Sequence, residues 1–204
     1  MPFPLFRSSP RHTIGALYGV IVAQARRPAF YLAYGVADTV SGRFELVVLH
    51  TVLLLHRLAG EPALQSLGQG LFDEFCRDMD HNLREMGVGD TKVPREMKRM
   101  AEAFFGRRKV YEAALDAGQQ GSLAEVLRRN IYDQADTAPA ARLALYVSAS
   151  AGDLACQETD AIARGTLIFP DPEKIGNEAG QSQGSGRTAL ERAGADLRDT
   201  GGGS

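Results

Sequence analysis

The chain has 204 residues, of which 44% are hydrophobic, with a formal net charge of −2 and a pI of about 6.1. This length fits one domain with a substantial core. The nearly balanced charge excludes the strong positive excess that is typical of DNA-binding proteins. Tryptophan is absent and only 7% of residues are aromatic, while the strong helix formers Ala, Leu, Arg and Glu are abundant. The composition therefore predicts an all-α fold.

The first predicted helix covers residues 14–25, and Pro28 is expected to end it. Residues 1–37 contain no acidic side chain but several arginines, a composition that also fits a mitochondrial transit peptide. The segment lacks the basic start and apolar run of a secretory signal. We expect the helix to belong to the folded unit.

Residues 44–59 form the most apolar stretch of the chain, FELVVLHTVLLLHRLA. A membrane span needs about 20 predominantly apolar residues, and this run is shorter and contains His50, His56 and Arg57. It therefore predicts a helix buried on nearly all sides at the centre of the domain, with Leu49 and Leu53 in the core. A lone histidine such as His50, with no nucleophile or orienting partner nearby in sequence, predicts a hydrogen-bonded core residue.

Two amphipathic helices are predicted next, at residues 62–86 and 94–117, separated by the sequence GVGD. Phe75 lies on the apolar stripe of the first. Gly87 suits the residue after a helix because it adopts positive φ without a Cβ clash. Asp90 or Thr91 is expected to cap the second helix, at whose start Pro94 is favourable.

Three further helices are predicted at residues 122–132, from 139 through 147, and at 153–164. After Pro170 the chain becomes rich in Gly, Ser and Gln and has no aromatic residue, so it cannot bury enough apolar area to offset its ordering entropy. We therefore predict a single helical domain at residues 11–169 and a disordered tail at 170–204.

Few residues suggest chemistry. Asp78 and His81 form a carboxylate-x-x-His pair, with Glu85 one turn beyond, as in carboxylate-bridged metal sites. A metal-dependent or small-molecule enzyme using these three residues is therefore an alternative, although one such pair favours a solvated charged face. Cys76 and Cys156 lack metal-ligand spacing and are expected to be buried reduced thiols. We assign no catalytic, cofactor-binding or metal residue.

Three segments resemble the ubiquinol-cytochrome c chaperone family: FELVVLHTVLLLHRL at 44–58, LFDEFCRDMDHNLREMGVGD at 71–90 and VPREMKRMAEAFFGRRKVYEAAL at 93–115. The resemblance extends over roughly residues 17–131. It implies a helical, non-enzymatic assembly factor for the cytochrome bc complex (respiratory complex III) that binds newly made cytochrome b or another subunit. A general helical scaffold with no respiratory client is a further alternative.

The family also implies a location. We expect a bacterial member that acts in the cytoplasm, peripheral to the inner membrane, or at the matrix side of a mitochondrion if the source is eukaryotic. Contact with the ribosome or with an anionic membrane surface is expected rather than contact with DNA.

The residues that could hold a membrane client lie near the GVGD sequence. Phe104 and Phe105 are adjacent, so one helical stripe cannot bury both, and we expect one of them to line an exposed apolar patch. Methionine side chains adapt to varied partners, which adds Met97 and Met100 to the predicted client-binding set. A basic rim is predicted beside it, and its residues are Arg95, Lys98, Arg99, Arg107 and Arg108. A solvated helix face explains the same charges without a partner.

Overall fold

A computed structural model describes residues 10–133 and 137–175, and these residues contain helices and no strand. The all-α prediction is confirmed. The elements are α1 (Pro10–Ala25), α2 (Pro28–Leu32), α3 (Val40–Ala59), a 3-10 turn (Pro62–Leu64), α4 (Gln65–Glu85), α5 (Val93–Asp116), α6 (Gln120–Ile131), α7 (Thr137–Cys156) and α8 (Thr159–Ala163).

Helix α3 is the central element. It packs against α1, α4, α5 and α7, and its middle is buried on every side. Thr39 begins it by accepting a hydrogen bond from the backbone N–H of Gly42. Leu49 and Leu53 are each 1% exposed, which confirms the predicted core. None of the described helices is long and apolar enough to cross a membrane.

Helix α4 ends in a glycine turn that leads into the connection to α5. Gly87 has φ +79° and its N–H binds the carbonyl of Arg84, while Val88 N–H binds that of Leu83, so the predicted role of Gly87 is confirmed. The predicted cap by Asp90 or Thr91 is wrong: Lys92 precedes α5 and no side chain caps the helix. Instead, the backbone N–H groups of Arg95 and Glu96 each donate to the Lys92 carbonyl at 3.1 Å at the start of the helix.

The predicted helix at 153–164 is also wrong. Helix α7 continues to Cys156, and α8 begins only at Thr159 after an extended Glu158. The break is stabilised by Arg57, whose guanidinium donates to the carbonyls of Leu154 and Gln157 at the end of α7. Helix α2 was not predicted. Cys76 is half-buried but Cys156, at the end of α7, is exposed, contrary to the prediction.

The last described residues lie across α1 and α2. Gln24 donates to the Pro170 carbonyl at 3.0 Å, Tyr34 donates to the Pro172 carbonyl at 2.7 Å, and Arg27 pairs with Asp171 at 3.0 Å. The rest of the predicted tail lies outside the described residues, so the domain boundary at 169 stays a prediction.

Candidate functional site

The two adjacent phenylalanines of α5 point in different directions. Phe104 is fully buried and Phe105 is 50% exposed. Phe104 packs against Phe75, with ring centroids 4.9 Å apart, whereas Phe105 packs in a tilted arrangement against the half-buried Phe72, also at 4.9 Å. Because neighbouring helical positions differ by about 100°, only one of the pair can face the core. Phe104 therefore cannot contact a client in this conformation, and Phe105 can.

Phe105 forms one wall of an open cleft of about 320 Å³, here named the Phe105 cleft. Its floor is the end of α3, with Leu55 and Leu58, and its opposite wall is the start of α4, with Gly68 and Phe72. A Cβ on Gly68 would lie 3.5 Å from Leu55 Cδ2, which is an ordinary van der Waals contact. Leu55 is 4% and Leu58 1% exposed, so the floor is largely covered and the exposed apolar surface of the cleft comes mainly from Phe105. Sequence analysis missed this cleft, because only the fold places Phe105 of α5 beside the end of α3 and the start of α4.

The two methionines of the predicted client-binding set lie apart from Phe105. Met97 and Met100 are half-buried against the core. Met100 lines a second cleft with Met79 and Met86, between α1, α3, α4 and α5, here named the Met100 cleft. The predicted set is thus divided between the core (Phe104), one cleft (Phe105) and another (Met100).

The predicted basic rim is only partly a rim. Arg95 is exposed, and Lys98 and Arg99 are 79% exposed, with loose pairs to Glu102 at 3.9 Å and to Glu96 at 3.5 Å. Arg108 lines the Phe105 cleft and donates to Glu112 at 2.8 Å. These four side chains can meet a partner.

Arg107 is not part of the rim. Its guanidinium is mostly buried and forms a two-bond pair with the buried carboxylate of Glu45 on α3. It lies one turn after Phe104 and so faces the core. Burial raises the pKa of Glu45, while the hydrogen bonds from Arg107 act against that rise. The pair fastens α5 to α3 rather than meeting solvent.

The alternative metal site is dispersed. The carboxylate of Asp78 accepts hydrogen bonds from the Tyr18 hydroxyl at 2.7 Å and from Asn82 at 3.2 Å. Burial and the nearby Asp78 carboxylate raise the pKa of Tyr18, so it stays a donor. His81 contacts Glu85 at 3.1 Å on the exposed surface. Within residues 10–133 and 137–175 no three His, Cys, Asp or Glu side chains are grouped as metal ligands.

His50 is a core residue, as predicted. Its Nδ1–H donates to the Leu46 carbonyl at 2.7 Å, which leaves Nε2 to accept from the Tyr146 hydroxyl at 2.9 Å. Phe30 and Phe169 pack edge-on against the ring. Complete burial lowers the pKa of His50 to about 4, so the ring is neutral near pH 7. The histidine thereby connects α3 with Tyr146 of α7 and with Phe169.

The described residues form an all-α bundle with two open clefts. The model of the ubiquinol-cytochrome C chaperone family matches residues 32–169, and the chain belongs to this family. The match extends beyond residue 131, where the resemblance in the sequence ended. No curated protein matches.

One solved structure is similar over most of its length: the crystal structure of the Cbp3 homolog from Brucella abortus. It shares 42% sequence identity with this chain at a TM-score of 0.74, and the match covers 80% of this chain and 92% of the Brucella chain. The fold is therefore shared with a solved relative.

Proposed function

We propose that this protein is a non-enzymatic chaperone that binds newly made cytochrome b, or another subunit of the cytochrome bc complex, at the Phe105 cleft. Membership of the ubiquinol-cytochrome C chaperone family supports a role in assembly of that complex. The observation that carries the site is Phe105, a large apolar side chain left 50% exposed at the wall of an open cleft.

The cleft suits an apolar client segment. Subunits that are inserted into a membrane expose apolar helices before insertion. Such helices bind grooves lined by aliphatic and aromatic side chains. Phe105 and Phe72 supply an aromatic wall of two tilted rings, and Leu55 and Leu58 lie beneath it. Aromatic side chains at the centre of an interface commonly contribute most of the binding energy. Phe105 is thus the expected anchor.

The basic face of α5 gives the proposed location. Arg95, Lys98 and Arg99 are solvent-exposed. The ion pairs of Lys98 with Glu102 and of Arg99 with Glu96 are too loose and too exposed to be strong. Such a face attracts anionic lipid headgroups or ribosomal RNA. We propose a peripheral position at the cytoplasmic side of a bacterial inner membrane, or at the matrix side in a eukaryote, close to where the client is made.

The client site is tested by Phe105→Ser, with Leu145→Ser on α7 as the control because Leu145 is also partly exposed, at 38%. The variants and wild type are used as baits in pull-downs from cells with and without cytochrome b expression. We expect Phe105→Ser to lose at least about tenfold of the recovered cytochrome b, since truncating an interface anchor costs about 2 kcal/mol or more. The control should recover it fully.

Equal recovery by wild type and Phe105→Ser would move the client site away from this cleft. Recovery of other apolar proteins in the same amount when cytochrome b is absent would instead support the general scaffold.

The basic face is tested separately by reversing two charges, Lys98→Glu with Arg99→Glu. Arg77→Glu on α4, which is 65% exposed, is the control. We expect the double variant to lose binding to anionic vesicles or to ribosomes. Wild-type binding should weaken as the salt concentration rises, because the Debye screening length falls to about 8 Å at 0.15 M ionic strength. Unchanged binding in the double variant would contradict this role.

A further inference from the structure

The Met100 cleft has the properties of a small-molecule site. Its volume is about 300 Å³, at the lower end of ligand pockets. Its apolar lining includes Phe44, Val47, Met79 and Met100. Three of the five methionines in the chain line it, Met79, Met86 and Met100, and methionine adapts its shape to varied apolar ligands. The cleft is separate from the Phe105 cleft, with which it shares no lining residue.

Charges are divided between the walls of this cleft. The α4 wall carries Asp78 and Glu85, and both are engaged: Asp78 with Tyr18 and Asn82, Glu85 with His81. The opposite wall carries Arg26, which directly follows α1, and Arg43, from the start of α3. These two arginines also line a neighbouring cleft, so they lie at the border between the two clefts.

The two arginines of this wall have N–H groups available to bind a ligand. Arg26 forms no ion pair within the described part of the chain. Arg43 donates from Nε to Asp38 at 2.7 Å and its side chain is 63% exposed, so its terminal nitrogens are accessible to a ligand. Guanidinium groups bind carboxylates through paired hydrogen bonds. At the mouth, Val40 is 66% and Met86 52% exposed, which leaves apolar surface for a ligand to cover.

We infer that the Met100 cleft binds a single-chain carboxylic amphiphile of the fatty-acid type. The carboxylate contacts Arg26 and Arg43, and the chain lies on Phe44, Val47 and Met100 beneath the exposed Met86. The charge of the arginine wall matches the head, and the apolar floor matches the tail. The inference is independent of the client site at Phe105.

The test measures laurate binding to the full-length protein by titration calorimetry, below the concentration at which laurate forms micelles. We expect one saturable site per chain. Dodecanol, which has the same chain and no charge, should bind at least about tenfold more weakly, because it lacks the charge-assisted hydrogen bonds to arginine. The double variant Arg26→Gln with Arg43→Gln should weaken laurate binding by a similar factor, whereas Arg95→Gln, on the exposed face of α5, should not.

The position of the ligand is read independently from the ¹³C-methyl resonances of the methionines. Laurate should shift the signals of Met79, Met86 and Met100 and leave that of Met97, which does not line the cleft. Absence of saturable laurate binding would overturn the inference. So would equal binding of dodecanol, or shifts at Met97 in place of those at the three cleft methionines.

Discussion

At the scale of single residues, polar groups in the apolar centre of the bundle are paired by the fold rather than by neighbours in the sequence. His50 meets Tyr146 from a helix 96 residues away in the chain, and Gln24 donates to the same hydroxyl at 2.9 Å. The hydroxyl of Tyr111 is buried without a partner among the described residues, and burial raises the pKa of that side chain. The hydrogen bonds of His50 and Gln24 to the Tyr146 hydroxyl join α1, α3 and α7.

His50 gives a prediction about acid stability. Its pKa is about 4 in the folded protein against an ordinary value of 6.5, so the unfolded chain binds the proton more readily. The stabilisation is complete above pH 6.5 and is lost as the pH falls toward 4. Its size is on the order of 3 kcal/mol. We expect the free energy of unfolding of His50→Gln, measured with denaturant at several pH values, to fall less than that of wild type as the pH is lowered from 6.5 to 4.

The matched control is His81→Gln, since His81 is 68% exposed. It should follow the wild-type pH dependence. The same slope in His50→Gln and wild type would show that His50 titrates normally and is not enclosed as described.

At the scale of elements, α5 has two functions on different faces. Its inner face carries Phe104, Tyr111 and Arg107, which join it to α3, and its outer face carries Phe105 and the exposed basic residues. Glu45 is 6% exposed and Arg107 23% exposed, so removing one partner leaves a buried charge unpaired.

Arg107→Met should therefore lower the free energy of unfolding by about 3–5 kcal/mol at neutral pH. The loss should shrink under acid, because protonated Glu45 no longer carries the unpaired charge. The double variant Glu45→Leu with Arg107→Met should recover most of the stability. Arg99→Met, on the exposed face of the same helix, should change it by no more than about 0.5 kcal/mol. A single variant as stable as wild type would show that Arg107 is a surface residue after all.

The helices themselves were predictable to within a few residues wherever apolar periodicity was strong, as in α3, α4 and α5. The breaks were not. The end of α7 depends on Arg57, about 100 residues earlier in the chain, and α2 has only five residues, too few to show a period. Phe104 and Phe105 illustrate the same limit at the site: adjacency predicts that they diverge, but only the packing on Phe75 and Phe72 decides which one is exposed.

At the scale of the whole molecule, the central helix α3 contributes lining residues to both clefts. The Phe105 cleft lies at its C-terminal end, with Leu58 and Ala59, and the Met100 cleft at its N-terminal end, with Val40 and Phe44. Helices α4 and α5 run along both. Because the two clefts share these supports but no lining residue, a change in one can be examined without removing the other.

The most direct measurement of the proposed chaperone function is site-specific photo-cross-linking in growing cells. A photoreactive residue replaces Phe105 in one strain and Leu145, on the far helix α7, in another. We predict a cross-link from position 105 to cytochrome b or another subunit of the cytochrome bc complex, formed while that subunit is being made, and none from position 145. Absence of any such product at 105, or equal products at both positions, would contradict the assignment of the Phe105 cleft as the client site.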